Sequence, residues 1–557
     1  MRVSLVGSVN LSSWYEQERE EADLSPPLGV LALAASLEQA GHTPSLVDIN
    51  FELSQKRLEV GDSFYPAAAA KILETSPDVV GFSTLCSSYH IALRIAQAVK
   101  EQSPGTTIVF GGPQASVADR LTIQNFPWVD FILRGEADQS LPMFLDELAL
   151  DPGAYHAPGL TWRDGEDIRR NPCLPLIADL DSLPMPAYHL QPGGQGKAAV
   201  IDAGRGCPFG CTFCSTSVYW ERRYRLKSID RILWEASELN RLYGATCFSF
   251  LHDLFTLNRA RIREFCRRLI DEKRAWQWSC SARVDCIDAE LLHLMADSGC
   301  TGIFYGVETG SPRMQSVIRK NLKLDNALDI VEATRAAGIK PTVSFIAGYP
   351  EETEQDLQLT FGLIEALLRK PLVTVQLHLL GPEAGTLDFA TYRDRMKWDG
   401  YFSDITGTSY RLLEPEWFQR WPDMFASYYY YESSGVPRSL LQGADLFVHA
   451  ACAFLRRTVN ALTSEGRSLW QNYREWHRWA AEQHAGSGPL GRQPMDEYLF
   501  DFCAFVEHLA TAGLTAVNPG IARDEMLAFY LQNFGDTPVR FGVRQEDLEH
   551  MASPAEV

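Results

Sequence analysis

Residues 198–214 read AAVIDAGRGCPFGCTFC. The apolar opening has the composition of a buried strand, and Asp202 closes it. The chain then runs through Gly204-Arg205-Gly206 into Cys207, Cys211 and Cys214, a CxxxCxxC spacing. Three thiolates set so closely on one loop are able to hold three irons of a 4Fe–4S cube and leave the fourth iron open. Zinc is the competing occupant, but it ordinarily takes a fourth local Cys or His, and none stands nearby. Phe213, just before the last cysteine, and the Gly-Arg-Gly ahead of the first suit a loop wrapped round a cluster.

Beyond this loop, strand-like runs recur at 246–251, 276–281, 302–305, 342–346 and 373–379, with helix-like segments between them. The clearest helix is 228–243. Ser228 stands as its N-cap, Ile229, Ile232, Leu233, Ala236 and Leu239 share one face, and Gly244 ends it. With 198–202 these make six consecutive strand–helix units, the pattern of a partial (β/α) barrel. Chemistry in such barrels sits on the loops at the C-terminal ends of the strands, and the cysteine loop follows the first of them.

Upstream, residues 1–150 alternate in the same way. Apolar runs at 3–6, 45–47, 78–82, 107–110 and 129–133 are separated by helical patterns, among them 28–40 and 89–100. That alternation predicts a parallel sheet covered on both faces, an open doubly wound domain with ligands beyond the strands' carboxyl ends. Residues 151–195 are rich in Pro, Gly and Asp and read as a linker with one small hairpin. The barrel then occupies 196–387. From 388 to 557 aromatics concentrate and helical patterns such as 441–462 and 495–510 follow, so a mainly helical region is expected to shape the substrate pocket. The tyrosine run 428–431 reads as helix packing rather than a binding cage.

The formal charge of −20, from 71 acidic and 51 basic residues, argues against binding a polyanion over a broad surface, and so against nucleic acid. No stretch approaches the roughly 20 apolar residues of a membrane span, and a cytoplasmic location is expected. Twelve cysteines without an export signal do not make a disulfide framework. Cys247, Cys280, Cys286, Cys300, Cys452 and Cys503 read as small core residues, with no second tight group to hold an auxiliary cluster. His252 and His378, near strand ends, read as structural hydrogen-bonders.

Five further motifs follow the cysteines in order: FLHDLFTLN (250–258), CSARVD (280–285), YGVETGS (305–311), FIAGYPEET (345–353) and LHLLGPEAGT (377–386). With them, residues 198–385 resemble the radical S-adenosylmethionine (SAM) superfamily. The resemblance implies that the open iron binds SAM, and that an electron from a donor such as flavodoxin or ferredoxin cleaves it to a 5′-deoxyadenosyl radical. It points to Asp253 for the SAM amino group, Arg283 for its carboxylate, Glu308 for the ribose, and Gly348 with Phe213 for further SAM contacts.

The first 150 residues resemble the cobalamin-binding domain of methionine synthase and its relatives, through Ser83-Thr84-Leu85 and Gly111-Gly112 at two strand ends. Small residues there let a nucleotide tail approach the backbone. A response-regulator-like or nucleotide-binding domain is the competing reading. PPLGVLALAASLEQAGH (26–42) and DLDSLPMPAYHL (179–190) also look like segments of cobalamin-dependent radical SAM enzymes. One departure stands out: the DxHxxG pattern of methionine synthase has Asn50 at its His position and Leu53 at its Gly position. Cobalamin is then expected with its own base displaced and no protein imidazole on cobalt. The combination implies methylation of an unactivated carbon in a small molecule or peptide. Radical cyclisation, ring contraction or another rearrangement needs the same two pockets. A cobalamin-binding sensor would leave the cysteine triad without a use.

Overall fold

The computed structural model describes residues 1–16, 19–22, 25–150, 153, 155–193, 196–403, 406, 410–484 and 495–534. The apolar runs of the first 150 residues form strands β1 (Arg2–Val6), β2 (Thr43–Val47), β3 (Val79–Ser83), β4 (Thr107–Gly111) and β5 (Phe131–Leu133). They pair in parallel in the order β2-β1-β3-β4-β5. The order reverses between β1 and β3, a switch point of the kind that leaves a crevice at the strands' carboxyl ends. Both faces are covered, so the strands carry apolar residues on either side. The hairpin in the Pro/Gly-rich stretch is β6 (Leu160–Asp164) and β7 (Asp167–Arg170), and it extends this sheet antiparallel to β5.

The second sheet is wholly parallel and runs in sequence order: β8 (Ala198–Asp202), β9 (Cys247–Leu251), β10 (Gln277–Ala282), β11 (Cys300–Glu308), β12 (Lys340–Ala347) and β13 (Thr374–Leu379). It stays open, as a six-unit partial barrel. Alternate residues such as Phe250, Trp278, Tyr305 and Phe345 pack outward under the helices. The helix Ile229–Tyr243 begins where Ser228 Oγ accepts from Arg231 N and ends at Gly244 in the left-handed region. At the far edge, the Cys452 thiol receives Val375 N at 3.2 Å, which occupies a ladder donor on β13.

The C-terminal region differs from the expected helices in two places. The pattern at 441–462 is broken into Arg438–Leu441, Ala444–Ala453 and Arg456–Ser464, with Gly443 at φ 88° separating the first two. The tyrosine run is packing but not helix: a 3₁₀ turn Ala426–Tyr428 leads into a short strand, Tyr430–Tyr431. Extended backbone sends successive rings to opposite sides. Tyr428 and Tyr429 join the core of the first domain, while Tyr431, in the strand, joins a small cluster with Tyr349. Residues 535–557, read with the helical region, lie outside the described residues. Among the described residues, no helix is long and apolar enough to cross a membrane.

Candidate active site between the two sheets

The cysteine loop leaves β8 and is tied down from several sides. Gly204 and Gly206 have no room for a side chain: a Cβ there would strike the Arg225 and Arg223 carbonyl oxygens. Asp253, just beyond β9, accepts from Gly206 N at 3.2 Å and from Thr216 Oγ1 at 3.4 Å, bracketing the loop on both flanks. Thr212 N donates to the Ile318 carbonyl at 3.1 Å. Phe213 meets Tyr349 edge-on at 5.7 Å, and Gly348, at φ 95°, donates its N–H to Glu352 at 2.7 Å.

Burial raises the pKa of all three loop thiols, that of Cys211 to about 11. The positive fields of Arg283 and Lys320 act against this at Cys211. Arg283 lies 3.8 Å from the Phe209 ring centroid and forks onto Asp285 with Nε at 3.0 Å and Nη2 at 2.9 Å. Its Nη2 also donates to the Lys320 carbonyl at 3.0 Å, while Nη1 makes no hydrogen bond to a described residue. Lys320 in turn donates to Glu308 at 2.7 Å. Glu308 has φ 72°, a strained value for a residue with a side chain, at the end of β11. Gly306 permits this arrangement, because a Cβ there would collide with Glu308 Oε1. Among the described residues no three His, Cys, Asp or Glu side chains converge as for one metal ion. Thiolates on separate irons of a cube have no need to converge.

A cavity of about 570 Å³ lies between the carboxyl ends of the two sheets. Ser83, Gly111 and Gly112 line it from the first domain, and Arg205, His252 and Asp253 from the barrel. Thr84 and Leu85 do not line it. Thr84 is buried, with Oγ1 donating to the Gly111 carbonyl at 2.8 Å and accepting from Ala115 N, while the Leu85 side chain is 41% exposed. The two glycines differ. Gly112 has φ 91°, and a Cβ there would stand 2.7–2.8 Å from Thr84 backbone atoms; a Cβ on Gly111 would meet only the Leu133 carbonyl, at 3.4 Å. Asn50 is occupied in holding a loop, accepting from Asn10 N and donating to the Ser8 carbonyl, each at 3.1 Å. His252 accepts from Leu254 N at 2.8 Å, and burial lowers its pKa to about 4.

Sequence reading missed the contact that joins the domains. Arg205 donates to Glu136 at 2.8 Å and to both oxygens of Asp138 at 2.9 Å, and Arg225 reaches Glu136 at 2.9 Å. Tyr219 adds a bond to the Gly135 carbonyl at 2.8 Å. All four charged side chains are nearly buried, 12% exposed at most. The segment RGEAD (134–138) directly after β5 was the available signal, since strand ends in such sheets face the site.

The model of the radical SAM superfamily matches residues 201–364, and that of the B12 binding domain matches 22–145. An uncharacterized methyltransferase of Pyrococcus horikoshii is 30% identical over 347 residues, covering 61% of this chain and 73% of its own length. This chain belongs to the cobalamin-binding radical SAM enzymes. The radical SAM domain brings a 4Fe–4S cluster and SAM, and the B12-binding domain brings cobalamin. An anaerobic magnesium-protoporphyrin IX monomethyl ester cyclase of Cereibacter sphaeroides is 28% identical, over 61% of this chain and 56% of its own. A cytidylyl-2-hydroxyethylphosphonate methyltransferase of Streptomyces wedmorensis is 25% identical, over 61% and 73%. Among solved structures, the radical SAM methyltransferase TsrM of Kitasatospora setae matches with TM-score 0.61 at 16% identity, over 86% of this chain and 99% of that one. The cobalamin-dependent radical SAM enzyme OxsB matches with TM-score 0.59 at 14% identity, over 96% and 84%. At these identities the structural likeness is one of fold.

Proposed function

We propose that this enzyme methylates a carbon of a small-molecule or peptide substrate, with the cluster held by Cys207, Cys211 and Cys214. The observation that carries the reading is the shared cavity, to which the strand ends of both domains contribute. When bound, SAM at the cluster supplies a hydrogen-abstracting radical and cobalamin a transferable methyl group.

The residues present suit those groups. Arg283 and Lys320 bring positive charge to thiols that must ionise to bind iron. Gly111 leaves the end of β4 open to the cavity, as a nucleotide tail of cobalamin requires. Asp253, which lines the same cavity, is assigned to the SAM ammonium, and Arg283, outside that lining, to the SAM carboxylate through Nη1, which bonds no described residue. Glu308 is assigned to the ribose, and Gly348 with Phe213 to further SAM contacts. Ser83 and Gly112 complete the cobalamin wall, with Thr84 and Leu85 serving through the loop they shape. Position 50 is an asparagine, so it offers cobalt no imidazole, and its amide is taken up by Asn10 N and the Ser8 carbonyl.

The cyclase among the relatives favours a second reading, radical ring closure without methyl transfer. Anaerobic incubation with SAM, a low-potential reductant and candidate substrates, read by mass spectrometry, separates the two. Methylation gives 5′-deoxyadenosine and a product heavier by one CH₂; a product of unchanged carbon count assigns closure or rearrangement. Changing all three loop cysteines to Ala should abolish the iron–sulfur absorbance and SAM cleavage. A triple variant with a full cluster spectrum would overturn the ligand assignment.

A further inference from the structure

The loop after β13 carries one carboxyl across the domain boundary. Cys86, just beyond β3 in the first domain, donates its thiol to Glu383 Oε1 at 3.3 Å, across 297 residues of chain. The hydroxyl of Ser215, which follows Cys214, bonds the same carboxyl. Glu383 thus ties a loop of the cobalamin-binding domain to the cysteine loop. Gly385 marks how closely the parts meet: a Cβ there would stand 3.3 Å from Val117 of the first domain and 3.8 Å from Val218.

Both of these partners are neutral. Among the described residues no lysine, arginine or histidine bonds Glu383, although burial works against its ionisation. A carboxyl drawn out of water is ordinarily paired with a cation, as Glu136, Glu235 and Glu308 are in this chain. Glu352 also lacks a direct ion pair, but it is sealed at 0% exposed, whereas Glu383, Cys86 and Ser215 each keep some exposed surface. Glu383 therefore faces a space. Beside it the Tyr431 hydroxyl, on a side chain 2% exposed, has no hydrogen-bond partner among the described residues and lies in the fields of Glu383 and Asp388. Apolar side chains stay exposed on both sides of this point, Leu85 and Val117 on the first domain, Val218 and Leu387 on the barrel.

We infer that this is the anchor of an amine substrate: Glu383 takes the ammonium group, and the apolar side chains around it take the apolar body that carries the ammonium. The inference rests on the reading of the space between the domains as the substrate site. An ammonium supplies the cation that Glu383 lacks and has donors enough for both the carboxylate and the Tyr431 oxygen. A neutral O–H group would leave the charge uncompensated. Glu383 is assigned no covalent step; it positions the substrate between a loop of each domain.

The test uses 2-phenylethylamine, its neutral analogue 2-phenylethanol and the anion 3-phenylpropionate, with the reconstituted holoprotein and no reductant. Ligand-observed magnetic resonance reads their affinities. Wild type should bind the amine about tenfold or more tightly than the alcohol, and the anion most weakly. Glu383→Gln still accepts from Cys86 and Ser215; in it the amine should lose about tenfold or more and the alcohol change by less than about twofold. Hydroxocobalamin affinity, SAM affinity and iron content should stay within about twofold of wild type, since the carboxyl is assigned to substrate alone. Equal affinity of wild type for amine and alcohol overturns the inference, and that comparison needs no variant to fold. Wild-type amine affinity in Glu383→Gln also overturns it, as does a loss of cobalamin or SAM affinity there, which would give the carboxyl to a cofactor. The methylation reading stands or falls separately, on product mass, because binding is read without turnover.

Discussion

Glu352 shows how one residue in this site carries a pH dependence. It is fully buried after β12, accepts Gly348 N–H through Oε2, and leaves Oε1 without a partner among the described residues. Burial pushes its pKa up to about 8, against the hydrogen bonds from Gly348 and Tyr349 that oppose the shift. The protonated form is thus the one the fold prefers. Its stabilising contribution is complete below the unfolded carboxyl's pKa near 4.5 and is lost as pH rises through about 8. Glu352→Gln keeps an acceptor for Gly348 and cannot ionise. Wild type should therefore lose stability relative to Glu352→Gln between pH 5 and 8, by an amount on the order of 4 kcal/mol. Urea unfolding of both proteins across that range checks it; parallel pH profiles would show that Glu352 is not protonated in the fold.

At the scale of elements, the junction of β4 with the helix Pro113–Asn125 separates two glycines that look alike in sequence. Gly112 is the N-cap of that helix and is required by the protein's own backbone, through its φ of 91° and the closeness of Thr84. Gly111 is required only if something fills the cavity beside it. Gly112→Ala should destabilise the protein by about 1–3 kcal/mol from backbone strain alone, seen in the unfolding midpoint with no cofactor present. Gly111→Trp should instead abolish hydroxocobalamin binding while the cluster and slow cleavage of SAM persist, with no methylated product. Normal cobalamin affinity in Gly111→Trp would remove the corrin from this wall. Helix 228–243 was readable nearly to the residue because its cap, apolar face and terminal glycine are local signals. The pattern at 441–462 was not, since Gly443 breaks it to fit packing around β13.

For the whole molecule, the decisive contact is the buried ion group that holds the first domain against the barrel. Arg205 immediately precedes the cysteine loop, so Glu136 and Asp138 couple the position of one domain to the other's reactive loop. Glu136→Ala should cost about 3–5 kcal/mol, because it strips compensation from two buried guanidinium groups. Among the described residues, Arg225 Nε and Nη2 are buried with no hydrogen-bond partner. Adding Arg225→Met to Glu136→Ala should therefore recover at least about half of that loss in urea unfolding. Additive losses in the double variant would show that the two side chains do not act as a pair.

What the sequence determined by itself were features written in short range or in order along the chain: two strand–helix series, the cysteine loop after the first barrel strand, and the motifs at later strand ends. Strand periodicity, capping and ligand spacing depend on neighbours within a few residues, so they survive in one dimension. Only the tertiary structure decided which strand ends share a cavity, that Arg283 forks onto Asp285, and that Glu136 and Asp138 meet Arg205 across 67 to 69 residues of chain. It also turned Thr84 inward, with Oγ1 on the Gly111 carbonyl. Those outcomes follow from long-range packing and from which charges burial brings together, and charge pairing between distant segments leaves no periodic trace in the sequence.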